Sequence, residues 1–206
     1  MSWSPKSADA VASLFERRVA PVHDLAEQAG AVADACHGMA LRFHRGGKLV
    51  VFGNGGPSTD AQHVAVEFVH PVIVGKRALP AISLTADVAT LTGVANRVGL
   101  AEVFAHQIRF LAEPADIALG ISADGECENV RRGLEAARDL GLLTIALTGG
   151  DGGAIATTPG IGHVLVARSA DPLVVKEVHV TTYHILWELV HVFFEHPGVL
   201  APGVAS

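Results

Sequence analysis

Five short apolar runs decide what this chain can fold into: KLVVF (48–52), LPAISL (79–84), DIALGI (116–121), LLTIAL (142–147) and HVLVA (163–167). Most are apolar on both faces, which suits a parallel strand covered on each side. Segments of helical character lie between them, near 58–69, 87–110, 126–140 and 151–156. Strands alternating with helices build a doubly wound α/β sheet. A last helix is expected over 172–195, with Val175, Val178, Thr182, Ile185, Leu189 and Phe193 on one stripe.

The period differs before the first run. Val11, Leu14, Phe15 and Val19 recur at helical spacing, Pro21 interrupts, and Val32, Cys36, Met39 and Phe43 resume the pattern. Such an arm needs a surface to pack on, either the core domain or another subunit. The expected organisation is a helical arm over 1–45, an α/β domain over 46–196 and a flexible tail over 197–206.

Half of the 206 residues are hydrophobic, enough for one buried core. The net charge is −6 and no Lys/Arg run occurs, which argues against direct contact with nucleic acid. No uninterrupted apolar stretch reaches the roughly 18 residues of a membrane span. The start, MSWSPKSADA, lacks an apolar signal core. Cys36 and Cys127 fit neither a disulfide scaffold nor metal spacing. The expectation is a cytoplasmic protein without a membrane partner.

In a doubly wound sheet, ligands bind beyond the carboxyl ends of the strands at the switch point. With strand order 2-1-3-4-5, the loops GNGGPS (53–58) and SADGECEN (122–129) meet there. Each leads from a strand into a helix, where glycines permit a tight turn and the helix start favours anions. His63 and Glu67 follow at i and i+4, on one helix face. His179 lies about 140° around the helix from His184, which points to a structural or interface role. Cys127 sits between glutamates and is expected to be an unreactive thiol. The Asp151-Gly-Gly turn is expected to start a helix. GNGGPS lacks the G-x-G-x-x-G pattern, which sets aside a redox nucleotide protein.

GNGG followed by Asp60-Ala61-x-His63-x-Ala65-x-Glu67 resembles the sugar isomerase (SIS) domain of the phosphoheptose isomerases. The similarity continues through LPAISLTAD (79–87), VANRVG (94–99), VFAHQ (103–107), ENVRRGLEAARDLGL (128–142), LTGGDGG (147–153) and KEVHVTTYHILWELV (176–190). This resemblance implies a flavodoxin-like five-stranded parallel sheet with an N-terminal helical arm, and a homotetramer with sites between subunits. It implies isomerisation of sedoheptulose 7-phosphate, with Glu67 as base and His184 as its partner. Asn54, Gly55, Gly56 and Ser122 would position the substrate. Many members bind zinc through residues matching His63, Glu67 and His184 plus a glutamine. Close relatives include a tetrameric regulator that binds the bacterial replication initiator.

This chain departs from the pattern at several places. Lys176 stands where the family has the glutamine, Arg97 where it has an acid, and Pro57 where it has a serine. The family's Ser-Thr-Ser-Gly-Asn-Ser reads Ser122-Ala123-Asp124-Gly125-Glu126-Cys127 here, and Glu128 adds a third carboxylate. Asp124, Arg97 and Lys176 thereby join the candidate substrate-binding residues. One expectation is that the Lys176 ammonium takes the metal's place and pairs with Glu67; the other is zinc on the remaining three ligands. The functional expectation is an aldose–ketose isomerase acting through an enediol. The alternative is a non-catalytic tetrameric module that binds a sugar derivative or a protein partner.

Overall fold

The computed structural model describes residues 8–200. Five strands form one sheet: β1 (Leu49–Gly53), β2 (Ala81–Ser83), β3 (Ile117–Ile121), β4 (Leu143–Gly149) and β5 (His163–Ala167). Their order is β2-β1-β3-β4-β5 and every pairing is parallel, with Leu49 beside both Ala81 and Ile117. This is the flavodoxin-like order, with its switch point between β1 and β3.

Side chains alternate across the sheet and feed two cores. On one face, Leu49, Val51, Leu119 and Leu147 pack with α2 (Ala29–His44), α3 (Gly56–Val69) and α8 (Pro172–Glu195). On the other, Val50, Phe52, Ala118 and Ala146 pack with α5 (Val103–Leu111) and α6 (Glu128–Asp139). The partly buried Leu91, Val94 and Ala95 of α4 (Val88–Val98) lean on this second core, and the short α7 (Gly153–Ala156) adds Ile155. Phe52 and Phe104 meet at 5.1 Å between ring centres.

The first helix differs from its expected form. α1 (Ala8–Glu27) runs straight through Pro21, which is buried inside it. The ring removes one backbone donor, but the helix turns only at Gln28, before α2. Gln28 has its own task there. Its side-chain amide donates to the Val166 carbonyl at 2.9 Å and accepts from the Val166 N–H at 3.1 Å. Val166 lies on the outermost strand, so this amide meets the edge as a neighbouring strand would.

Val11, Leu14, Phe15 and Val19 of α1 are 45–68% exposed in the single chain, so this stripe does not serve the core. α8 occupies its expected span but buries a wider arc than one stripe. Val174, Val175, Val178, Thr182, Tyr183, Leu186, Trp187 and Val190 are all buried, while Ile185, Leu189 and Phe193 only border the core. Residues 197–200 form a short turn whose Leu200 is buried, and 201–206 lie outside the described residues.

Candidate active site

Two features flank α3, which starts at the carboxyl end of β1. The first is a cavity of about 290 Å³ lined by Gly53, Asn54, Gly55, Ser58, Thr85 and residues of α4 and α5. Gly53 has no room for a side chain, since a Cβ there would stand 2.7 Å from the Ile121 carbonyl of β3. Asn54 is locked by a reciprocal amide pair with Asn129 of α6, at 2.6 and 3.0 Å. Gly55 turns the chain into α3 at φ +60°, and no side chain caps that helix start.

The second feature is a polar ladder between α3 and α8, which run side by side. At its lowest rung, Lys176 Nζ lies 2.5 Å from Asp60 Oδ1, with the Gly56 carbonyl at 3.4 Å and Thr59 Oγ1 at 3.5 Å. One rung up, His63 Nε2 lies 3.2 Å from Glu67 Oε1, and His63 Nδ1 lies 2.9 Å from the Tyr183 hydroxyl. The His63 and His184 rings meet edge-on at 5.3 Å. At the top, Trp187 Nε1 donates to the Glu67 carbonyl at 3.0 Å.

The structure therefore brings His63, Glu67 and His184 together, with one potential ligand atom from each within 4.8 Å of the others. Two imidazoles and a carboxylate are a donor set that suits zinc. Glu67 and His63 are partly buried and His184 is exposed, so the group opens outward. Tyr183 is buried, and this burial, with the nearby Asp60 and Glu67 carboxylates, raises its phenol above the usual range.

The expected Lys176–Glu67 pair does not form; Lys176 meets Asp60 instead. The reason is the stagger of the helices. Asp60 precedes Glu67 by seven residues, about 10 Å along α3, and Lys176 sits level with the former. Lys176 thus does not supply the ligand group with a cation.

The β3–α6 loop is bonded to itself, with Ser122 and Gly125 buried and Asp124 and Glu126 exposed. Ser122 is buried; its Oγ accepts from the Gly125 N–H at 3.0 Å and lies 3.1 Å from Asp124 Oδ1. That same Asp124 oxygen accepts from the Glu126 N–H at 2.9 Å, and Glu126 Oε1 accepts from the Ala154 N–H at 3.1 Å. Gly125 makes the loop possible: its φ is +76°, and a Cβ there would lie 2.0 Å from the Gly152 carbonyl. Glu128 pairs with Arg131 and Arg132, whose hydrogen bonds hold its carboxyl below the usual range. Neither Ser122 nor Asp124 lines the cavity. Arg97 is exposed on the last turn of α4 and does not line it either.

His179 is buried, with Nε2 on the Thr148 carbonyl at 2.9 Å, the structural role expected for it. Asp60, Asn129, Tyr183 and Trp187 were absent from the sequence-derived site. Tyr183 had one visible signal, since it is the only tyrosine in the chain.

Comparison with known proteins fits this geometry. The phosphoheptose isomerase of Desulfovibrio desulfuricans is 42% identical over 180 residues, covering 86% of this chain and 84% of that relative. The phosphoheptose isomerase of Pelobacter propionicus is 40% identical over 185 residues, covering 90% and 92%. The structure of a phosphoheptose isomerase from Francisella tularensis superposes with a TM-score of 0.84 at 34% identity, covering 91% of this chain and 99% of that one. Residues 15–149 match the SIS domain family. With that match, the five-stranded parallel sheet and the similarity along most of the chain, this protein belongs to the SIS domain family.

Proposed function

We propose that this chain is an aldose–ketose isomerase acting on a sugar phosphate of the sedoheptulose 7-phosphate kind. The carrying observation is the convergence of His63, Glu67 and His184 in a chain about 40% identical to phosphoheptose isomerases. Isomerisation moves a proton between adjacent carbons through an enediol, which requires a base at carbon and a proton carrier at oxygen. Glu67 is the base, with its Oε1 oriented by His63. His184, exposed at the rim, shuttles the proton between the substrate oxygens. Asn54, Gly55 and Gly56 hold the sugar at the cavity mouth. Lys176, Arg97 and Asp124 are assigned to the outer part of the same site, and the buried Ser122 to its supporting wall.

His63, Glu67 and His184 would hold zinc, which supplies Lewis-acid polarisation of the substrate carbonyl when bound. The cavity lining contains none of these three residues. We assign their union to a homotetramer with sites between subunits, supported by the exposed apolar stripe of α1. A sugar phosphate as substrate fits a cytoplasmic enzyme, and among the described residues no helix is long and apolar enough to cross a membrane. The non-catalytic alternative is not favoured by relatives that carry the isomerase name along most of their length.

The test is turnover of sedoheptulose 7-phosphate by the purified protein. Glu67→Gln should lower kcat by about 100- to 10,000-fold, the usual weight of a general base. Wild-type protein that leaves this ketose phosphate unchanged beside an active relative refutes the proposal.

A further inference from the structure

The Tyr183 hydroxyl has a single hydrogen-bond partner among the described residues, His63 Nδ1 at 2.9 Å. The other ring nitrogen, Nε2, lies 3.2 Å from Glu67 Oε1. A carboxylate oxygen only accepts, so in a neutral imidazole Nε2 carries the hydrogen. Nδ1 is then the acceptor, and the phenol donates to it. Turning the His63 ring over would break both bonds. Edge-on contacts restrain it further, with Tyr183 at 5.4 Å and 78° and with His184 at 5.3 Å and 80°. Tyr183 itself is fixed by burial in α8.

We propose that Tyr183 is a positioning residue that holds the ring orientation of His63, so that Nε2 is the nitrogen offered to Glu67, whose carboxylate then selects the Nε2–H tautomer, and to the site. The ring orientation stands apart from the isomerase reading; its value for chemistry rests on that reading. The hydroxyl also suits a second state. When a cation takes Nε2, the hydrogen of a neutral ring resides on Nδ1 and the phenol oxygen accepts it. A hydroxyl rotor serves both states, whereas a phenylalanine ring serves neither.

Long-range ¹H–¹⁵N correlation spectra of metal-free wild type and Tyr183→Phe test this directly. The wild type should show His63 as the Nε2–H tautomer, and the variant should show a mixture. In a second arm, chelator competition should find Zn²⁺ bound about 10- to 100-fold more weakly by the variant, as for loss of a partner behind a ligating histidine. The substitution keeps the packed ring, so a merely structural tyrosine would move neither readout. An Nδ1–H tautomer in the wild type, or an unchanged tautomer and affinity in the variant, overturns the proposal. If the wild type takes up no Zn²⁺, the cation reading fails and the spectra alone decide. Should the variant not fold, the wild-type spectrum still decides.

Discussion

The two loops at the switch point occupy equivalent places and end in opposite states. The β1–α3 loop holds Asn54 by its amide pair with Asn129 and faces a cavity, while the helix starts after both loops lack a side-chain cap. The β3–α6 loop uses Ser122, Asp124 and Glu126 to satisfy the N–H groups of Gly125, Glu126 and Ala154. Its own carboxylates sit where an anion would look for donors. Topology nominates both loops, but side chains decide which one faces an open cavity and which one brings carboxylates to its own backbone. The comparison locates the open half of this site beside β1, and makes the second loop a self-satisfied wall.

Three experiments press on this contrast. The largest effect should come from the open loop. Asn129→Ala leaves the Asn54 amide without its partner, which should cost about 1–3 kcal/mol of stability. Thermal unfolding checks this, and a raised KM should accompany it as Asn54 loses its fixed position. An unchanged Tm and KM would show that the first loop needs no such lock. The next effect concerns the closed loop. Asp124→Asn with Glu126→Gln keeps both acceptor oxygens but removes two negative charges. At about 0.3–1 kcal/mol for each carboxylate at a helix start, sugar phosphate should bind roughly three- to thirty-fold more tightly. Calorimetry showing no change would place the phosphate elsewhere. The last effect lies behind both loops. Burial holds the His179 imidazole below its usual range, so the unfolded chain takes up a proton first. Stability is full above the unfolded value of about 6.5 and is lost as pH falls below it. His179→Gln should flatten part of that slope in unfolding measured across pH, leaving the share of His163, which burial shifts the same way. An unaltered slope would mean that His179 does not resist protonation.

The strands were readable because β1, β3 and most of β4 are buried along their length, which imposes apolar residues on both faces. α8 was readable in extent because Asp171 caps it through the Leu173 N–H and Pro172 follows at its first position. Its buried face was not, since a helix in the middle of a core layer hides more than one stripe. The pairing of His63 with Glu67 follows from helical spacing alone. The arrival of His184 came only from resemblance, because it lies 117 positions after Glu67. Lys176 was assigned to the wrong carboxylate for a related reason: the relative slide of two helices is set by tertiary packing, and no local pattern encodes it. The local bonds of Asp124 and Glu126 were equally hidden, since they reach backbone groups that composition does not mark.

The Gln28 amide bound to Val166 has a consequence for how copies of this chain can meet. A sheet with a bare flank invites a foreign segment to lie flush against it and extend the ladder. Here a side chain rooted between two helices already answers the donor and acceptor of Val166, next to the end of the last strand, so an incoming segment finds contacts there taken. Self-association is thereby steered away from ladder extension at this edge of the sheet.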